Sequence, residues 1–519
     1  MNGFPWLTLL GALPLVGSIV VAALPKGREL LAKQVALGVS LVVFALALVM
    51  ATKFEAGGPS SKAEFQFVEQ HSWISSFGVS YSLGVDGIAL VLIAMATILV
   101  PIVILAGWHE ADDAKAPVKA FFALILILET MIIGVFSATD VFLFYVFFEA
   151  MLIPVYFLIG SFGGAQRSYA AVKFLLYSLF GGLLMLAALI GLYVVSVHQL
   201  GTGTFDYAKL VGLHIDPSTE KALFLGFFAA FAIKAPLWPF HTWLPDAAAE
   251  STPGTAVLLV GVLDKVGTFG MIRLCLPLFP DASKYFTPVI LVLAVIGILY
   301  GALVAIGQTD MMRLVAYTSL SHFGFITLGI FAMTSQGQSG STLYMVNHGF
   351  STAGLFIVGG FLVRRRGSRL IADYGGVQRV APLLAGSFLV MGLASLALPG
   401  LSSFVSEFLV LVGTYTRYPV YAVIATLGIV LAAIYVLLWY QRVATGPATE
   451  KVKGFRDLGR REMFAIAPLI ALIIALGFFP KPLLDVINPA VSRTLDQVGQ
   501  TDPVPPVPVS AGSLEGTAK

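Results

Sequence analysis

Long apolar runs, separated by short polar breaks, repeat along almost the whole chain. About fourteen windows of roughly 20 mostly apolar residues occur, and this is the length that an α-helix needs to cross a bilayer. Their centres fall near Leu15, Val43, Ala94, Leu126, Met151, Leu184, Phe228, Val262, Val295, Phe325, Phe356, Leu396, Val430 and Ile470. The pattern predicts an all-α, polytopic transmembrane bundle of about 14 helices.

The composition agrees with this prediction and excludes several classes of function. Of the 519 residues, 58% are hydrophobic and 11% are charged, which is far from the composition of a soluble domain. The net charge of +3 is small and the basic residues lie in short loops, so a nucleic-acid partner is not expected. The single cysteine, Cys275, excludes an intramolecular disulfide and a cysteine-ligated zinc or iron-sulfur centre in this chain.

The basic residues are unevenly divided between the two sides of the predicted bundle. One side carries most of them, in the loops Lys26 to Lys33, Arg364 to Arg379 and Arg442 to Arg461. Because loops rich in Lys and Arg stay in the cytoplasm, this side is predicted to be cytoplasmic. Both termini are then expected on the non-cytoplasmic side of a multi-pass membrane protein.

Two predicted spans carry helix breakers near their middles. The seventh contains KAPLWP from Lys234, and the twelfth contains LPGLSS from Leu398. Proline frees a backbone carbonyl, which lipid tolerates only where protein or water satisfies it. The breaks lie five spans apart, so they predict two discontinuous helices in two inverted five-helix repeats. For either break alone, the general frequency of Pro and Gly in membrane helices explains it equally well.

This organisation divides the chain into five parts. They are helices one to three in 1–110, the first inverted repeat with helices four to eight in 111–280, the second with helices nine to thirteen in 281–445, a loop and helix fourteen in 446–488, and a Pro/Ser-rich, disordered tail in 489–519.

Several ionisable residues fall inside the predicted spans. Glu149 has apolar neighbours on both sides, where a charge costs at least about 2.5 kcal/mol unless it is paired or hydrated. Lys234 and Lys265 are also deep in their spans, and Glu407 follows the second break. A buried lysine that loses its proton readily, and regains it when a carboxylate approaches, can act as a proton switch.

Two histidines extend this row of candidates, His322 in YTSLSHFGF and His348 in NHGFST, because imidazole can relay protons. We define the polar axis as Glu149, Lys234, Lys265, His322, His348 and Glu407, with a predicted role in proton translocation. A structural ion pair or a packing histidine could explain any member taken singly. Asp264 could be a local partner of Lys265, and Glu129 could be a conduit residue or a contact to another subunit.

The motifs around these residues resemble the antiporter-like membrane subunits of proton-pumping NADH-quinone oxidoreductase, respiratory complex I. The similar stretches are FFEAMLIPVYFLIG, KAPLWPFHTWLPDAAAESTPGTAVLLVGVLDKVGTFGMIR, YTSLSHFGF, NHGFSTAGLF and LPGLSSFVSEF, in the family's order across nearly the whole chain. The resemblance implies a fourteen-helix fold with inverted repeats.

The same resemblance implies more specific roles. Glu149 would pair with Lys234, Lys265 would connect the first half-channel to the centre, and His322 and His348 would continue the axis to Glu407. Glutamate at position 407 separates this chain from the lysine-bearing L-type and N-type subunits, which are expected as its partners. FMN, iron-sulfur clusters and quinone are expected in other subunits, with no cofactor or metal in this chain. The expected location is the bacterial plasma membrane.

Three other functions are compatible with the same sequence. A sodium/proton antiporter subunit of the Mrp type would need no electron donor. A membrane subunit of an energy-converting hydrogenase would have a nickel-iron partner. A structural scaffold would tolerate neutral substitutions of the buried charges, which cost free energy to keep in lipid.

Overall fold

A computed structural model describes residues 4–56 and 64–504. The first part of the chain forms four long helices and one β-hairpin on the side of the N-terminus. These elements are α1 (Trp6–Ala23), α2 (Glu29–Lys53), β1 (Gln66–Ile74), a 3-10 turn (Ser75–Phe77), β2 (Val79–Val85), α3 (Gly87–Ala106) and α4 (Val118–Ser137). The antiparallel hairpin pairs Gln66 with Val85, and it was not anticipated from the apolar runs.

The middle of the chain holds shorter helical pieces. They are α5 (Val141–Ala150), α6 (Leu152–Phe162), α7 (Arg167–Leu200), α8 (Tyr207–Leu210), α9 (Pro217–Lys234), α10 (Trp243–Glu250), α11 (Pro253–Ala256), a π-helical segment (Val257–Leu263), α12 (Lys265–Gly270), a second π-helical segment (Met271–Cys275) and α13 (Leu276–Leu278). Residues 253–278 thus form one continuous rod in which π-helical turns flank α12.

The remainder of the chain returns to long helices. They are α14 (Pro280–Ile306), α15 (Met311–Ala332), α16 (Ser335–Arg366), a 3-10 turn (Ile371–Asp373), α17 (Val377–Val380), α18 (Pro382–Ser395), α19 (Ser402–Arg417), α20 (Pro419–Ala444), α21 (Arg460–Phe478) and α22 (Lys481–Val498).

Aspartate side chains begin several of these helices. Asp86 accepts a hydrogen bond from Ala89 N at the start of α3, and Asp140 accepts one from Leu143 N at the start of α5. The carboxylate satisfies a backbone N–H that has no partner within the helix and complements the helix dipole. These caps mark where the apolar runs begin.

The all-α transmembrane prediction is confirmed at the level of fold class. Twelve helices in the described residues are long and apolar enough to cross a membrane. The predicted seventh and twelfth spans are interrupted instead, between α9 and α10 and between α18 and α19. Both breaks fall where proline and glycine predicted them. The count of fourteen and the inverted repeats stay predictions.

Burial separates a central group of helices from a peripheral one. Nearly all of α15, α16 and the rod of residues 253–278 is buried within the chain, whereas about a third of α1, α20 and α21 is. α16 packs against α15, α19 and the π-helical segment Val257–Leu263. A helix that is buried all round can carry polar side chains on every face, because protein and not lipid surrounds it.

The chain after residue 489 differs from the predicted disordered tail. α22 continues through Pro489 to Val498, and residues up to 504 are described. Its buried residues Ile487, Ala490, Val491, Thr494, Leu495 and Val498 recur every three to four positions. This spacing is that of an amphipathic helix, and it outweighs the local polar composition on which the prediction relied. The rest of the predicted tail, 505–519, lies outside the described residues.

Candidate functional site

Glu149 and Lys234 lie near each other at the first break. Glu149 is at the end of α5, and Lys234 is the last residue of α9. The Lys234 ammonium is 4.5 Å from the centre of the Phe148 ring, and Glu149 is the carboxylate whose charge acts on it most strongly. Within residues 4–56 and 64–504, neither Glu149 Oε1 nor Lys234 Nζ has a hydrogen-bond partner. The two attract each other without a direct contact.

Gly182 on α7 leaves the space that the Glu149 side chain occupies. A Cβ atom at Gly182 would overlap the Glu149 carboxylate. Its neighbour Gly181 lies against Ala230 and Ile233 of α9, where a Cβ would be 3.1 Å from the Ala230 Cα. The Gly181-Gly182 pair therefore packs α7 closely against α9 and also determines where the carboxylate can lie.

Asp264, which directly precedes Lys265 in the chain, is a further buried carboxylate. It is 0% exposed, and both Lys265 and Lys234 act on it by charge. Neither of its oxygens has a hydrogen-bond partner in the part of the chain that the structure describes. The sequence offered it only as a local partner of Lys265. The structure also puts it in the field of Lys234, on a different helix.

Lys265 and His348 are in direct contact. Lys265 Nζ is 2.6 Å from His348 Nδ1 and donates a second hydrogen bond, 2.5 Å long, to Val260 O. Both residues are fully buried. Val260 belongs to the π-helical segment, whose i to i+5 pattern appears in the bond from Asp264 N to Leu259 O. Wider helical turns of this kind occur often at functional sites.

His322 and Tyr344 connect His348 with Glu407. The His322 ring centre lies 5.1 Å from that of His348 and 5.8 Å from that of Tyr344. The Tyr344 hydroxyl donates a 2.9 Å hydrogen bond to Glu407 Oε2. Tyr344 was missed at the sequence level. Its position four residues before His348 on the same helix face was the available signal.

The second break is held by side-chain hydrogen bonds. Asn347 of α16 donates to Ser402 O, 2.7 Å away, and to Ser406 Oγ, 3.2 Å away. Ser402 is the first residue of α19 after the break. A polar side chain from a neighbouring helix thus satisfies backbone in the interrupted region, as a break inside a bilayer requires.

The remaining buried charges do not all join the row. Arg273 is paired with Asp86 at 2.7 Å and lies over the Phe65 and Phe269 rings. This ion pair therefore has a structural role. Glu129 is 0% exposed, which argues against a contact to another subunit. Neither Glu129 oxygen has a hydrogen-bond partner among the described residues.

The structure divides the residues of the polar axis into two groups. Glu149 and Lys234 form one group at the first break. Lys265, His348 and His322 form the other, which reaches Glu407 through Tyr344. Asp264 interacts by charge with a lysine of each group, Lys234 and Lys265. In residues 4–56 and 64–504, no cluster of three His, Cys, Asp or Glu side chains could hold a metal ion. Such a row can hold and transfer protons.

Comparison with known proteins shows the family of this chain. Residues 138–433 match the family described as NADH:quinone oxidoreductase/Mrp antiporter, TM. A relative from Mycobacterium tuberculosis (strain CDC 1551 / Oshkosh), "NADH-quinone oxidoreductase subunit M", is 56% identical over 554 residues, covering 100% of this chain and 99% of the relative.

Two solved structures share the fold. A chain of respiratory complex I from Thermus thermophilus with bound NADH has a TM-score of 0.86 at 31% identity, over 95% of this chain and 100% of that one. A chain of the Mrp complex from Dietzia sp. DQ12-45-1b has a TM-score of 0.81 at 22% identity, over 94% of this chain and 97% of that one. The second likeness concerns the fold alone. The chain belongs to the subunit M family of NADH-quinone oxidoreductases, within the wider group of NADH:quinone oxidoreductase and Mrp antiporter membrane subunits.

Proposed function

We propose that this chain translocates protons as a membrane-arm subunit of a NADH-quinone oxidoreductase of the complex I type. The observation that carries the proposal is the row of buried ionisable groups, in which Lys265 contacts His348 and Tyr344 links the histidines to Glu407. Ionisable groups inside a membrane are costly, and they occur mostly where protons or ions pass. Electron transfer would take place in other subunits, which would carry FMN, iron-sulfur clusters and quinone.

The unsatisfied pair at the first break is the proposed switch. When Glu149 is near Lys234, the carboxylate stabilises the ammonium, and when it moves away the lysine releases its proton. Because no direct hydrogen bond holds the pair in the described structure, only a charge interaction and packing oppose such a movement. The released proton would pass Asp264 to Lys265. Each elementary charge moved against the membrane potential costs about 2.3 kcal/mol per 100 mV.

The second half would carry the proton from Lys265 through His348 and His322 toward Glu407. Lys265 donates to His348 Nδ1 at 2.6 Å, a distance at which a proton can be shared. Tyr344 donates to one Glu407 oxygen, which leaves the other oxygen to take up a proton. The L-type and N-type subunits, the bacterial plasma membrane and the non-cytoplasmic termini belong to the same proposal.

The test is quinone-coupled proton pumping in membrane vesicles that carry Glu149→Ala or Lys234→Ala. We expect both variants to lose most of the NADH-driven pH gradient while the complex still assembles. Lys209→Ala, which removes an exposed lysine of α8, serves as the matched control and should pump normally. Normal pumping in both buried-charge variants would refute the proposal.

A sodium/proton antiporter subunit of the Mrp type is the second candidate, because the matched family includes such subunits and the Dietzia chain shares the fold. The two functions differ in their energy source. Vesicles without NADH but with an imposed sodium gradient should show no proton movement through this chain if the first proposal holds. Pumping that depends on NADH and stops with a quinone-site inhibitor would exclude the antiporter.

A further inference from the structure

A cavity of about 190 Å³, lined by both charged and apolar side chains, opens at the arginine-rich end of the bundle, where α16 ends with Arg364, Arg365 and Arg366. It lies where the turn after α3 meets α11 and the last turn of α16, and among its lining residues are His109, Glu110, Pro253 and Arg364. The salt bridge from Lys33 to Asp112, 2.6 Å long, places this turn beside the start of α2. The cavity is therefore on the side that the basic loops predict to be cytoplasmic.

Glu110 is the carboxylate that this cavity presents to the interior of the chain. Both of its oxygens accept hydrogen bonds from Gly254 N, each at 3.0 Å. A Cβ atom at Gly254 would lie 2.9 Å from Glu110 Oε2, so glycine leaves room for this approach. The side chain is held at the beginning of the rod that carries Lys265.

Two threonine hydroxyls continue from Glu110 into the chain. The Thr252 side chain lies close enough to the Glu110 carboxyl to influence its protonation, and the Thr252 hydroxyl donates a 2.9 Å hydrogen bond to Thr255 Oγ1. Both threonines are buried. A protonated Glu110 can donate to Thr252 while Thr252 donates to Thr255, which gives an oriented chain of hydrogen bonds leading inward.

The rod of residues 253–278 and α16 lie along the path that a proton would take from Thr255 to Lys265. α11 continues through the π-helical segment to Lys265, and α16 runs alongside from Gly360, against Pro253, to Gly349, against Gly261. Thr352 lies one helical turn from His348 on α16. It is 0% exposed, and its hydroxyl has no hydrogen-bond partner in the described chain. It can therefore bond to a water molecule in this region.

The charges around Glu110 suit reversible protonation. Burial raises the pKa of Glu110 to about 7, although the nearby Thr252 side chain, the hydrogen bond from Gly254 N and the charges of Arg364 and Arg461 act in the opposite direction. On its own turn, His109 is paired with Asp112 at 2.6 Å, and Asp113 also lines the cavity.

We propose that Glu110 takes up protons from the aqueous phase on the arginine-rich side and passes them through Thr252 and Thr255 toward Lys265. This inference rests on the proposed function. A proton from water binds the carboxylate, the carboxyl group then donates it to Thr252 Oγ1 while the Thr252 proton moves to Thr255, and the Thr255 proton moves to water further inside. Glu110 returns to its ionised form, and no other reactant is required.

The experiment compares Glu110→Gln with Glu110→Asp in NADH-driven vesicles, from pH 6 to pH 8. Glutamine keeps the size of the side chain and an oxygen that accepts from Gly254 N, but it cannot carry the proton. Aspartate is shorter yet can carry it. We expect Gln to lower the pumping rate about fivefold at pH 8 and less at pH 6, where protons are more abundant, and Asp to pump faster than Gln.

A purely structural role gives the opposite order, because the isosteric Gln would then retain more activity than Asp. That order, or an equal loss at every pH, would overturn the inference. Thr255→Val, which keeps the side-chain shape and leaves the Thr252 cap in place, should reproduce the pH-dependent loss. Glu29→Gln removes an exposed carboxylate on the same side of the bundle and should pump normally at every pH. The content of assembled complex is measured for each variant.

The outcome also separates this inference from the proposed function. If Glu149→Ala and Lys234→Ala abolish pumping while Glu110→Gln pumps normally at pH 8, proton translocation stands and uptake at Glu110 is wrong. If all three variants pump normally, both are wrong.

Discussion

The two helix breaks use different means to hold their carboxylates. At the first break, Glu149 and Lys234 attract each other across a gap, and in the described structure Glu149 Oε1 and Lys234 Nζ have no hydrogen-bond partner. At the second, Tyr344 donates to Glu407 and Asn347 donates to Ser402 O. A group that is held only by charge and packing can move at a lower free-energy cost than one held by hydrogen bonds.

The difference assigns different parts to the two ends of the polar axis. The first break has the arrangement of a switch. A small displacement of the Glu149 carboxylate changes how strongly its charge stabilises the Lys234 ammonium. The second break has the arrangement of a fixed acceptor. Lys265 and His348 lie between them as the one directly hydrogen-bonded pair of the axis in the described chain.

The largest loss of pumping should come from a change at Lys265, because in the proposed pathway every proton that passes from the first break to the second crosses this residue. In Lys265→Arg the positive charge remains, but a guanidinium does not release its proton in proteins. We expect NADH-driven pumping to fall at least about twentyfold while the complex still assembles. The control is Lys453→Arg, because Lys453 is exposed and lies in the loop before α21. Retained pumping in Lys265→Arg would show that this lysine supplies charge and does not transfer a proton.

A smaller effect is expected at the first break from Gly182→Ala. The added Cβ overlaps the Glu149 carboxylate and should displace it relative to Lys234. Overpacking of this kind costs about 1 to 3 kcal/mol. We expect about 1.4 kcal/mol of this cost to fall on the pumping step, which lowers the pumping rate about tenfold.

Gly386→Ala in α18 is the matched control for Gly182, since a Cβ there meets nothing within 4 Å. The comparison is made on initial pumping rates and on the thermal stability of the assembled complex. Equal rates in the two glycine variants would mean that the position of Glu149 is less critical than its charge.

The smallest effect should come from Tyr344→Phe at the second break. The change removes the hydrogen bond to Glu407 and keeps the ring, so about 1 kcal/mol is lost, which corresponds to at most about a fivefold change in rate. Pumping rates measured with Glu407→Gln, alone and combined with Tyr344→Phe, give the coupling between the two residues. Additive effects would show that the hydrogen bond is not part of the pathway.

Much of the architecture follows from local patterns. Apolar runs about 20 residues long predicted the helices, and proline with glycine predicted both breaks, because these properties act over a few neighbouring residues. The π-helical turns around Lys265 were not predictable in this way. They depend on how residues 253–278 pack between other helices.

Two elements, the helix after residue 489 and the β-hairpin, were not predicted from these local patterns. A Pro- and Ser-rich composition suggested disorder after 489, but the apolar spacing from Ile487 to Val498 forms a helix that packs against α16 and α3. The hairpin at 66–85 lies between predicted spans, where a search for long apolar runs does not look.

Composition and local order along the chain are enough to predict its membrane character, the sites of both helix breaks and the identity of its buried ionisable residues. They do not predict which of those residues meet. Lys265 and His348 are 83 positions apart, and Tyr344 and Glu407 are 63 apart. Contacts over such separations depend on how whole helices pack, and a hydrogen bond forms only when that packing brings two atoms within about 3 Å.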